Sequence, residues 1–381
     1  MRAARQAAWR NDPGKARRFA AALWFLLCLP WLLAGCGATN KYYDPDQPHR
    51  GRDGFRNNYL PADAPRPSLL KWQFERLLKG LPKPPENGYR FPIDQPDLAW
   101  LAANKTVPSA TWIGHSTMLL QSNGVNLITD PIFSDRASPV GFMGPTRKVP
   151  PALSIAQLPH IDVVLISHNH YDHLDVDSVR RLNAQPGGPP LFLVPLGVKD
   201  WMHNKGIDNA REMDWWERAS VQGLEIDFVP SQHWSARGLF DRNETLWGGW
   251  VVRSAAAVAG SAAPVGKRDR PFSFYFAGDS GYSRDFADIG RKYGSFDLAM
   301  IPIGAYAPRW FMSNQHVDPA QAVQIHRDVH AKQSVAIHWG TFELSDEPLD
   351  EPPKLLKSEM EKAGLPPQQF IALRQGQTLK W

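Results

Sequence analysis

Short apolar runs, each ended by polar or small residues, follow one another along the chain from about residue 106 onward. Runs of this length that are rich in Val, Ile and Phe are typical of buried β-strands. They predict strands over residues 116–121, 125–129, 161–167, 190–194, 224–229, 249–253, 272–277, 298–303 and 334–337. Stretches with helical spacing predict helices over residues 175–183, 283–293, 319–330 and 354–362. The mixture, with no linker inside it, predicts one α/β (α+β) sandwich domain.

The first 35 residues have a different pattern, in which basic residues precede an apolar segment at 19–33. The apolar segment is short for a membrane span, is interrupted by Pro30 and ends in small residues, as in a cleaved secretory signal. The sequence Leu-Ala-Gly-Cys that ends at Cys36 resembles the lipobox of bacterial lipoproteins. That resemblance implies a lipidated Cys36 and, with Gly37 after it, a lipid-anchored protein that faces the periplasm from the outer membrane. An uncleaved N-terminal anchor is the alternative.

Residues 36–67 contain five prolines among Asp, Asn, Gly and Arg and show little periodicity. This composition predicts a tether between the lipid anchor and a domain that spans residues 68–381. Residues 68–79 interleave Leu, Trp and Phe with Lys and Arg, which predicts a helix. The helix has two open interpretations, as a first helix that packs on the core or as an interfacial membrane helix.

Composition excludes several classes of protein. The 381 residues are 43% hydrophobic and 21% charged, which is ordinary for a globular enzyme. Two cysteines are too few for a disulfide framework or a Cys-rich zinc module. The formal charge of +5 lies entirely in residues 1–35, and the rest has 37 basic and 37 acidic residues. No electrostatic footprint for nucleic acid is left. The oligomeric state does not follow from the sequence, and a homodimer is one arrangement that it allows.

The densest group of chemically active residues follows the predicted strand at 161–167. His168, His170, Asp172 and His173 lie within six positions there. In an extended backbone the alternation of His168 and His170 sends both imidazoles to the same side. Imidazoles and carboxylates crowded at the end of a buried strand favour a divalent cation.

Three later strands each deliver one further ligand-type residue. His233, Asp279 and His338 follow the predicted strands that end at residues 229, 277 and 337. Five His and two Asp are enough for two metal ions. The predicted assignment places His168, His170 and His233 on one ion, Asp172, His173 and His338 on the other, and Asp279 as the bridge.

Nitrogen and oxygen ligands of this kind favour two zinc ions, although manganese, iron or nickel accept the same set. A pair of ions about 3.5–4 Å apart can share a hydroxide and clamp both oxygens in a phosphoester displacement. The predicted mechanism is therefore attack by a metal-bridging hydroxide. Asp172, Asp279 or a metal-bound water are the candidates for the general acid.

Several longer segments carry a resemblance to a known family. They are ATWIGHST (110–117), TDPIFSDRASP (129–139), FMGPTRK (142–148), LISHNHYDHLD (165–175), PSQHW (230–234), FAGDSGY (276–282), QHVDPAQAV (315–323) and AIHWGTF (336–342). Together they resemble the N-acyl-phosphatidylethanolamine-hydrolysing phospholipase D family, a branch of the metallo-β-lactamase superfamily. The resemblance implies an αββα sandwich, with two mixed sheets flanked by helices. It also implies a zinc phosphodiesterase that converts N-acyl-phosphatidylethanolamine into N-acylethanolamine and phosphatidic acid at a membrane surface. The seven predicted ligands coincide with the family's metal positions.

Residues around the predicted metal rim are candidates for substrate contact. His316 follows the apolar strand at 298–303 and is expected to touch the phosphodiester as a catalytic residue. Gln315 beside it, with Trp310 and Phe311, is a candidate for substrate binding. The two aromatic residues fit an acyl groove or a membrane rim, and equally a core beneath a loop.

The remaining histidines have structural interpretations. His115 is expected to fix a turn at the start of a strand, His49 to be solvated in a linker, and His326 to lie on a helix surface. Two rival functions stay open. One is a different hydrolase on the same site, such as a lactonase, and the other is a non-catalytic outer-membrane lipoprotein that uses the ions structurally.

Overall fold

The computed structural model describes residues 40–61, 63–64, 67–254 and 272–381. The strands are β1 (Arg50–Gly51), β2 (Gly54–Phe55), β3 (Ser109–Gly114), β4 (Thr117–Ser122), β5 (Val125–Thr129), β6 (Val163–Leu165), β7 (Leu191–Pro195), β8 (Ala210–Met213), β9 (Arg218–Val221), β10 (Leu224–Val229), β11 (Gly249–Ser254), β12 (Ser273–Phe276), β13 (Leu298–Pro302), β14 (Ser334–Ile337), β15 (Phe370–Ile371) and β16 (Thr378–Lys380). The helices are α1 (Leu69–Lys79), α2 (Leu98–Ala103), α3 (Val176–Asn183), α4 (Val198–His203), α5 (Asp285–Tyr293), α6 (Arg309–Met312), α7 (Pro319–Asp328) and α8 (Pro352–Lys362).

Within the described residues, two seven-stranded sheets form the body of the protein. Their strand orders are β16-β3-β4-β5-β6-β7-β8 and β15-β14-β13-β12-β11-β10-β9. Each sheet is mixed, because β5 to β8 and β12 to β15 pair in parallel while the other neighbours pair antiparallel. Helices accompany both sheets, so the predicted sandwich of two mixed sheets with helices is confirmed.

Alternation along the strands separates two cores. In β4 and β5, Leu120 and Leu127 belong to the large core cluster that also contains Trp250 of the other sheet. Their neighbours Leu119 and Ile128 point the opposite way and join a second apolar cluster. Because successive side chains of a strand face opposite sides, a strand buried on both faces becomes a continuous apolar run. The predicted strands were recognisable for this reason.

Strand directions bring the site residues to one edge. Both β10 and β12 run antiparallel to β11, and β12, β13 and β14 are parallel, so all four end at the same edge of their sheet. In the other sheet β5 and β6 are parallel and share an edge in the same way. Trp250 Nε1 donates to the carbonyl of Ile166 at 3.1 Å, which ties the two sheets together near these ends.

The helix termini follow simple capping rules. Asp318 caps α7 by accepting from the N–H of Gln321 at 2.9 Å, and Pro319 occupies the first turn, as predicted. In α1 only Trp72 is buried, so most of that helix is exposed. Over the described residues, the helices are all too short or too polar to cross a bilayer.

The first described segment corrects part of the predicted tether. Phe55 is only 1% exposed, and Asn57 and Asn58 hydrogen-bond to residues of the sandwich. His49, which was expected to be solvated, is 7% exposed and lies 2.8 Å from Asp214. This part of residues 36–67 therefore belongs to the folded domain. The predicted signal at 1–35 and the lipidation site at Cys36 lie outside the described residues.

Candidate metal centre

Three imidazoles from the two sheets meet in one group. His168 and His170 follow β6, and His233 follows β10. Nδ1 of His170 lies 2.8 Å from Nε2 of His168 and 3.2 Å from Nε2 of His233. We call these three side chains donor group A. They match the first predicted ligand set.

The second predicted set is also assembled. Oδ2 of Asp172 lies 3.3 Å from Nε2 of His173 and 3.3 Å from Nε2 of His338, which follows β14. We call Asp172, His173 and His338 donor group B. Each group is compact enough to surround one cation.

Asp279, which follows β12, stands between the two groups. Its Oδ2 lies 3.2 Å from Nε2 of His173 and 3.1 Å from Nε2 of His338. The same oxygen is 4.0 Å from Nε2 of both His168 and His233. One carboxylate therefore reaches both groups, and the structure brings all seven predicted ligands together.

A buried network fixes the orientation of the imidazoles. Asp130 accepts Nδ1–H of His173 at 2.7 Å and the hydroxyl of Ser167 at 2.6 Å. Since that hydroxyl is donated to Asp130, the Ser167 oxygen accepts Nδ1–H of His168 at 2.9 Å. Both histidines therefore present the Nε2 lone pair to the site, as ligating histidines in metal proteins do when a carboxylate or another acceptor takes their other ring N–H. Sequence reasoning missed Asp130 as a site residue, although it directly follows β5.

Charge differs between the groups. Burial lowers the pKa of His170 and of His233 to about 3, so donor group A is neutral near pH 7. Burial also opposes a charged His338, but Asp279 and Asp172 outweigh it and raise its pKa to about 9. Burial alone would raise the pKa of Asp172 and of Asp279. The adjacent imidazoles, of which His173 has the largest effect, instead hold both pKa values well below the ordinary range. The two carboxylates are therefore ionised and ready to bind a cation.

The donor atoms fit a metal pair. Among the described residues, Oδ1 of Asp279 is buried without a hydrogen-bond partner, and Nε2 of His173 and of His338 lie against the carboxylates of Asp172 and Asp279. Buried polar atoms without partners are costly, and a cation between the groups would supply that partner. The nitrogen and carboxylate donors suit zinc and also other first-row divalent ions.

The backbone around the site is strained at three places. His115, Asp130 and His338 have φ values of 52°, 34° and 60°, in the left-handed region that non-glycine residues rarely adopt. Gly278, next to Asp279, has φ 62°, and a Cβ there would lie 2.7 Å from the carbonyl oxygen of Gly248. Strain of this kind is concentrated at functional sites.

Comparison with family models gives a match over residues 125–339, more than half of the chain, to the beta-lactamase superfamily domain. The chain belongs to the metallo-β-lactamase superfamily. The matched range contains donor group A, donor group B and Asp279. This superfamily member is a metal-dependent hydrolase.

The chain is similar to individual proteins over different shares of its length. N-acyl-phosphatidylethanolamine-hydrolyzing phospholipase D 1 of Caenorhabditis elegans is 43% identical over 62% of this chain and 64% of its own length. The match thus spans less than two thirds of the worm protein. An uncharacterized protein of Mycobacterium bovis is 38% identical over 90% of this chain and 88% of its own. Igni18, a metallo hydrolase of Ignicoccus hospitalis, shares the fold at 20% identity, with a TM-score of 0.52 over 72% of this chain and 99% of its own.

The predicted substrate-side residues lie beside the metal centre. Nδ1 of His316 is 3.7 Å from Oδ2 of Asp279, and the carbonyl of Gln315 accepts Nδ1–H of His233 at 2.9 Å. In α6, Phe311 is half-buried and Trp310 is 38% exposed. Trp310 is thus a surface residue, and Phe311 lines a cavity that also contacts His233 and Gln315.

Two structural interpretations of histidines need revision. His115 does occupy a turn, but its Nε2 also lies 3.0 Å from Oδ2 of Asp172, at the edge of donor group B. The prediction that His326 lies on a helix surface is wrong. It is 4% exposed and its Nδ1 contacts Oγ of Ser334 at 2.8 Å, because this side of α7 packs on the sheet.

Proposed function

We propose that the protein is a dinuclear zinc phosphodiesterase of the phospholipase D type, which hydrolyses N-acyl-phosphatidylethanolamine to N-acylethanolamine and phosphatidic acid. The observation that carries the proposal is the reach of one Asp279 oxygen to donor group A and donor group B. Two adjacent cations suit displacement at a phosphodiester, which has charge on two non-bridging oxygens. The similarity to the C. elegans phospholipase D supports the choice of lipid.

The residues that hold the ions have separate tasks. Donor group A would bind one ion and donor group B would bind the other. Asp279 would bind both ions. When bound, the zinc pair would supply an activated water and neutralise the phosphate charge. The depressed pKa of Asp172 and of Asp279 suits them as ligands rather than as proton donors.

His316 has the position expected of a substrate contact. Its imidazole lies at the site but belongs to neither donor group, and its Nδ1 is buried without a hydrogen-bond partner. Burial lowers its pKa to about 3, so it is neutral near pH 7. A neutral imidazole can donate one hydrogen bond and accept another, which suits an oxygen of the phosphodiester.

A cavity of about 320 Å³ adjoins the metal centre at His233. The residues that line it include Asn57, Arg242 and Gln315, together with Phe311 and the acidic Asp53. The Arg242 guanidinium lies 4.1 Å from the ring centre of Trp234, which holds a positive charge beside the site. These groups support binding of the polar, anionic part of a phospholipid there.

The surface of α1 supports approach to a lipid bilayer. Leu70, Phe74, Leu77 and Leu78 are between 60% and 83% exposed. Trp72, on the buried side of the helix, stacks on Phe311 at 4.5 Å between ring centres. The exposed apolar face is therefore joined to the cavity wall, which suits an enzyme that takes its substrate from a membrane.

A substrate panel tests the proposal. Purified protein with zinc is offered N-acyl-phosphatidylethanolamine, glycerophosphodiesters and lactones, and products are identified by mass spectrometry. We expect release of N-acylethanolamine and phosphatidic acid, and loss of that release in His168→Ala. His326→Gln, which changes a buried histidine outside the site, is the matched control and should retain activity. Turnover of lactones alone would reject the proposed substrate, and no turnover with bound zinc would favour a structural role of the ions.

We also propose that a lipid on Cys36 anchors the enzyme to the outer membrane, facing the periplasm. The sequence around Cys36 supports this location. Mass spectrometry of the N-terminal peptide tests it, with diacylglycerol and acyl groups expected on Cys36. Release of Cys36→Ser from the membrane fraction would support the anchor, whereas an unmodified Cys36 in the mature protein would reject it.

A further inference from the structure

An N-terminal segment, residues 49–58, runs from a contact with Asp214 to the metal centre at His233, and we call it the strap. At its start, Asp214 accepts from Nε of Arg50 at 2.9 Å and contacts Nε2 of His49 at 2.8 Å. In its middle Phe55 is buried in the core, at 1% exposure. At its end Nδ2 of Asn58 donates to Asp285 at 2.8 Å. The strap is thus held along its whole length.

Asn57 connects the strap to a predicted metal ligand. Its Nδ2 donates to the carbonyl of His233 at 3.0 Å, and its Oδ1 accepts the backbone N–H of His233 at 2.9 Å. The same Oδ1 accepts Nε1–H of Trp247 at 3.0 Å. The amide therefore pairs with both backbone groups of His233, as a neighbouring strand would. Only a side chain with one donor and one acceptor side can make this pairing.

The contacts with Asn57 and Gln315 together hold the backbone and the ring of His233. Its backbone is fixed by Asn57, and its Nδ1–H is donated to the carbonyl of Gln315 at 2.9 Å. Nε2 is then left to face His170 and Asp279. With both backbone groups and one ring nitrogen fixed, the imidazole has little freedom to turn away from donor group A.

We propose that Asn57 is a positioning residue that holds His233 in the geometry required for cation binding by donor group A. The proposal rests on the proposed metal-binding function of the site. Because Asn57 contacts His233 and none of Asp172, His173 and His338, its effect should be confined to one of the two ions. A general loss of fold would weaken both ions together.

The experiment compares the full-length protein with Asn57→Ala, Asn57→Asp and Asn58→Ala. Asn57→Asp keeps the side-chain size and the acceptor but places an oxygen against the carbonyl of His233. Asn58→Ala is the matched control, because its amide secures the neighbouring position to Asp285 and touches no ligand. Cobalt(II) is titrated into metal-free protein, with the visible spectrum and equilibrium dialysis as readouts, and thermal unfolding in chelator reports on the fold.

We expect wild-type protein and Asn58→Ala to bind two equivalents with the same affinities. Both Asn57 variants should bind one equivalent roughly 10–100-fold more weakly and leave the other unchanged, as outer-shell substitutions do in metal proteins. Where Asn57→Ala does not fold, Asn57→Asp provides the comparison. Unchanged affinities, equal weakening of both equivalents, or the same effect in Asn58→Ala would overturn the proposal, as would wild-type protein that binds no cobalt.

The same proteins separate this proposal from the proposed function. Wild-type protein that binds two equivalents but leaves N-acyl-phosphatidylethanolamine intact would reject the lipid and leave the role of Asn57 standing. Wild-type protein that cleaves the lipid, with Asn57 variants that bind both equivalents normally, would reject the positioning role alone.

Discussion

Asp279 is the residue through which the two donor groups are joined, and its substitution should separate them. Asp279→Asn keeps the shape but removes the negative charge that both groups share. We expect the protein to lose at least one equivalent of metal and the proposed phosphodiesterase activity to fall by at least the roughly 10–100-fold seen when groups that support metal ligands are removed. Metal analysis by mass spectrometry checks the first effect. His326→Gln should match wild type in both measurements, and an Asp279→Asn protein with two ions and full activity would contradict the bridging role.

His316 should affect turnover without affecting metal content. Its Nδ1 is 3.7 Å from Asp279, yet the side chain is outside both donor groups. His316→Ala is expected to lower kcat by roughly 100-fold, the lower range for a group that handles a proton or hydrogen-bonds the reacting oxygens. His330→Ala, which changes an exposed histidine beyond the other end of α7, is the control. If His316→Ala binds one ion fewer, His316 is a ligand rather than a substrate contact.

Local sequence was sufficient to predict the seven side chains that the structure brings together, but not the residues that support them. His233, Asp279 and His338 were predicted because each closely follows a conspicuous apolar run. Asp130 follows a run too, but a single carboxylate after a strand is common and gave no signal. The partnership of Asn57 with His233 joins residues 176 positions apart, and only the folded chain shows it.

The stability that the strap contributes to the fold should depend on pH, because Asp214 holds the start of the strap. Despite burial, contacts with His49 and Arg50 hold the pKa of Asp214 below its ordinary value of 3.8. A lowered folded-state pKa gives stability that is complete above 3.8 and is lost as the pH falls through the folded-state value. Asp214→Asn should therefore lower the free energy of unfolding by about 3 kcal/mol at pH 7 and by much less at pH 2.

Urea unfolding of wild type and Asp214→Asn at the two pH values measures this difference. Asp177→Asn is the control, because its ion pair with Arg181 on α3 is exposed and should contribute less than about 1 kcal/mol. A loss of stability in Asp214→Asn that is equal at pH 7 and pH 2 would show that the charge of Asp214 is not the cause.

The exposed face of α1 should determine binding to membranes. Replacing Leu70, Phe74, Leu77 and Leu78 by Ser removes apolar surface without touching buried Trp72. We expect protein that lacks residues 1–36 to sediment with phospholipid vesicles, and the fourfold variant to stay mostly in the supernatant. Hydrolysis of a short-chain soluble substrate should be unchanged. A variant that binds vesicles like its parent would exclude this face as the docking surface.

Elements that are buried on both faces were predictable, and edge elements were not. The strands β8 and β9 lie at the edges of their sheets and carry exposed residues such as Arg211 and Arg218, so neither forms an apolar run. The strand β3 is fully buried, but Ser109, Thr111 and Gly114 interrupt its apolar pattern. Central strands such as β10 and β14 lack these features and were found with bounds that match the structure.

Metal should stabilise the whole molecule, because its ligands come from both sheets. Zinc at 100 times its Kd is expected to add about 2.7 kcal/mol per site to the free energy of unfolding, and a chelator should remove that gain. Protons compete for His338, whose pKa is raised to about 9, so the gain should be larger at pH 9 than at pH 6. Denaturant unfolding with and without zinc measures it. His168→Ala should gain less, and a zinc-independent wild type would contradict the assignment.

The sandwich architecture could be predicted from the sequence, but the packing of the N-terminal strap on it could not. Alternating apolar runs and helices indicated a sandwich, since each element must bury one or two apolar faces. The packing of residues 49–58 against the sandwich could not be predicted, because a segment rich in Asn, Gly and Arg is typical of a linker. Its burial depends on single residues such as Phe55 and on partners far along the chain.

The division of the donors between two sheets has a consequence for biosynthesis. His168, His170 and Asp172 emerge from the ribosome well before His338, the last of the seven in chain order. A growing chain that ends before β14 lacks His338, so its donor group B contains only Asp172 and His173. Donor group B would therefore be complete only after β14 has been synthesised and docked, so a second bound cation would mark a fully folded protein, whereas donor group A is complete earlier.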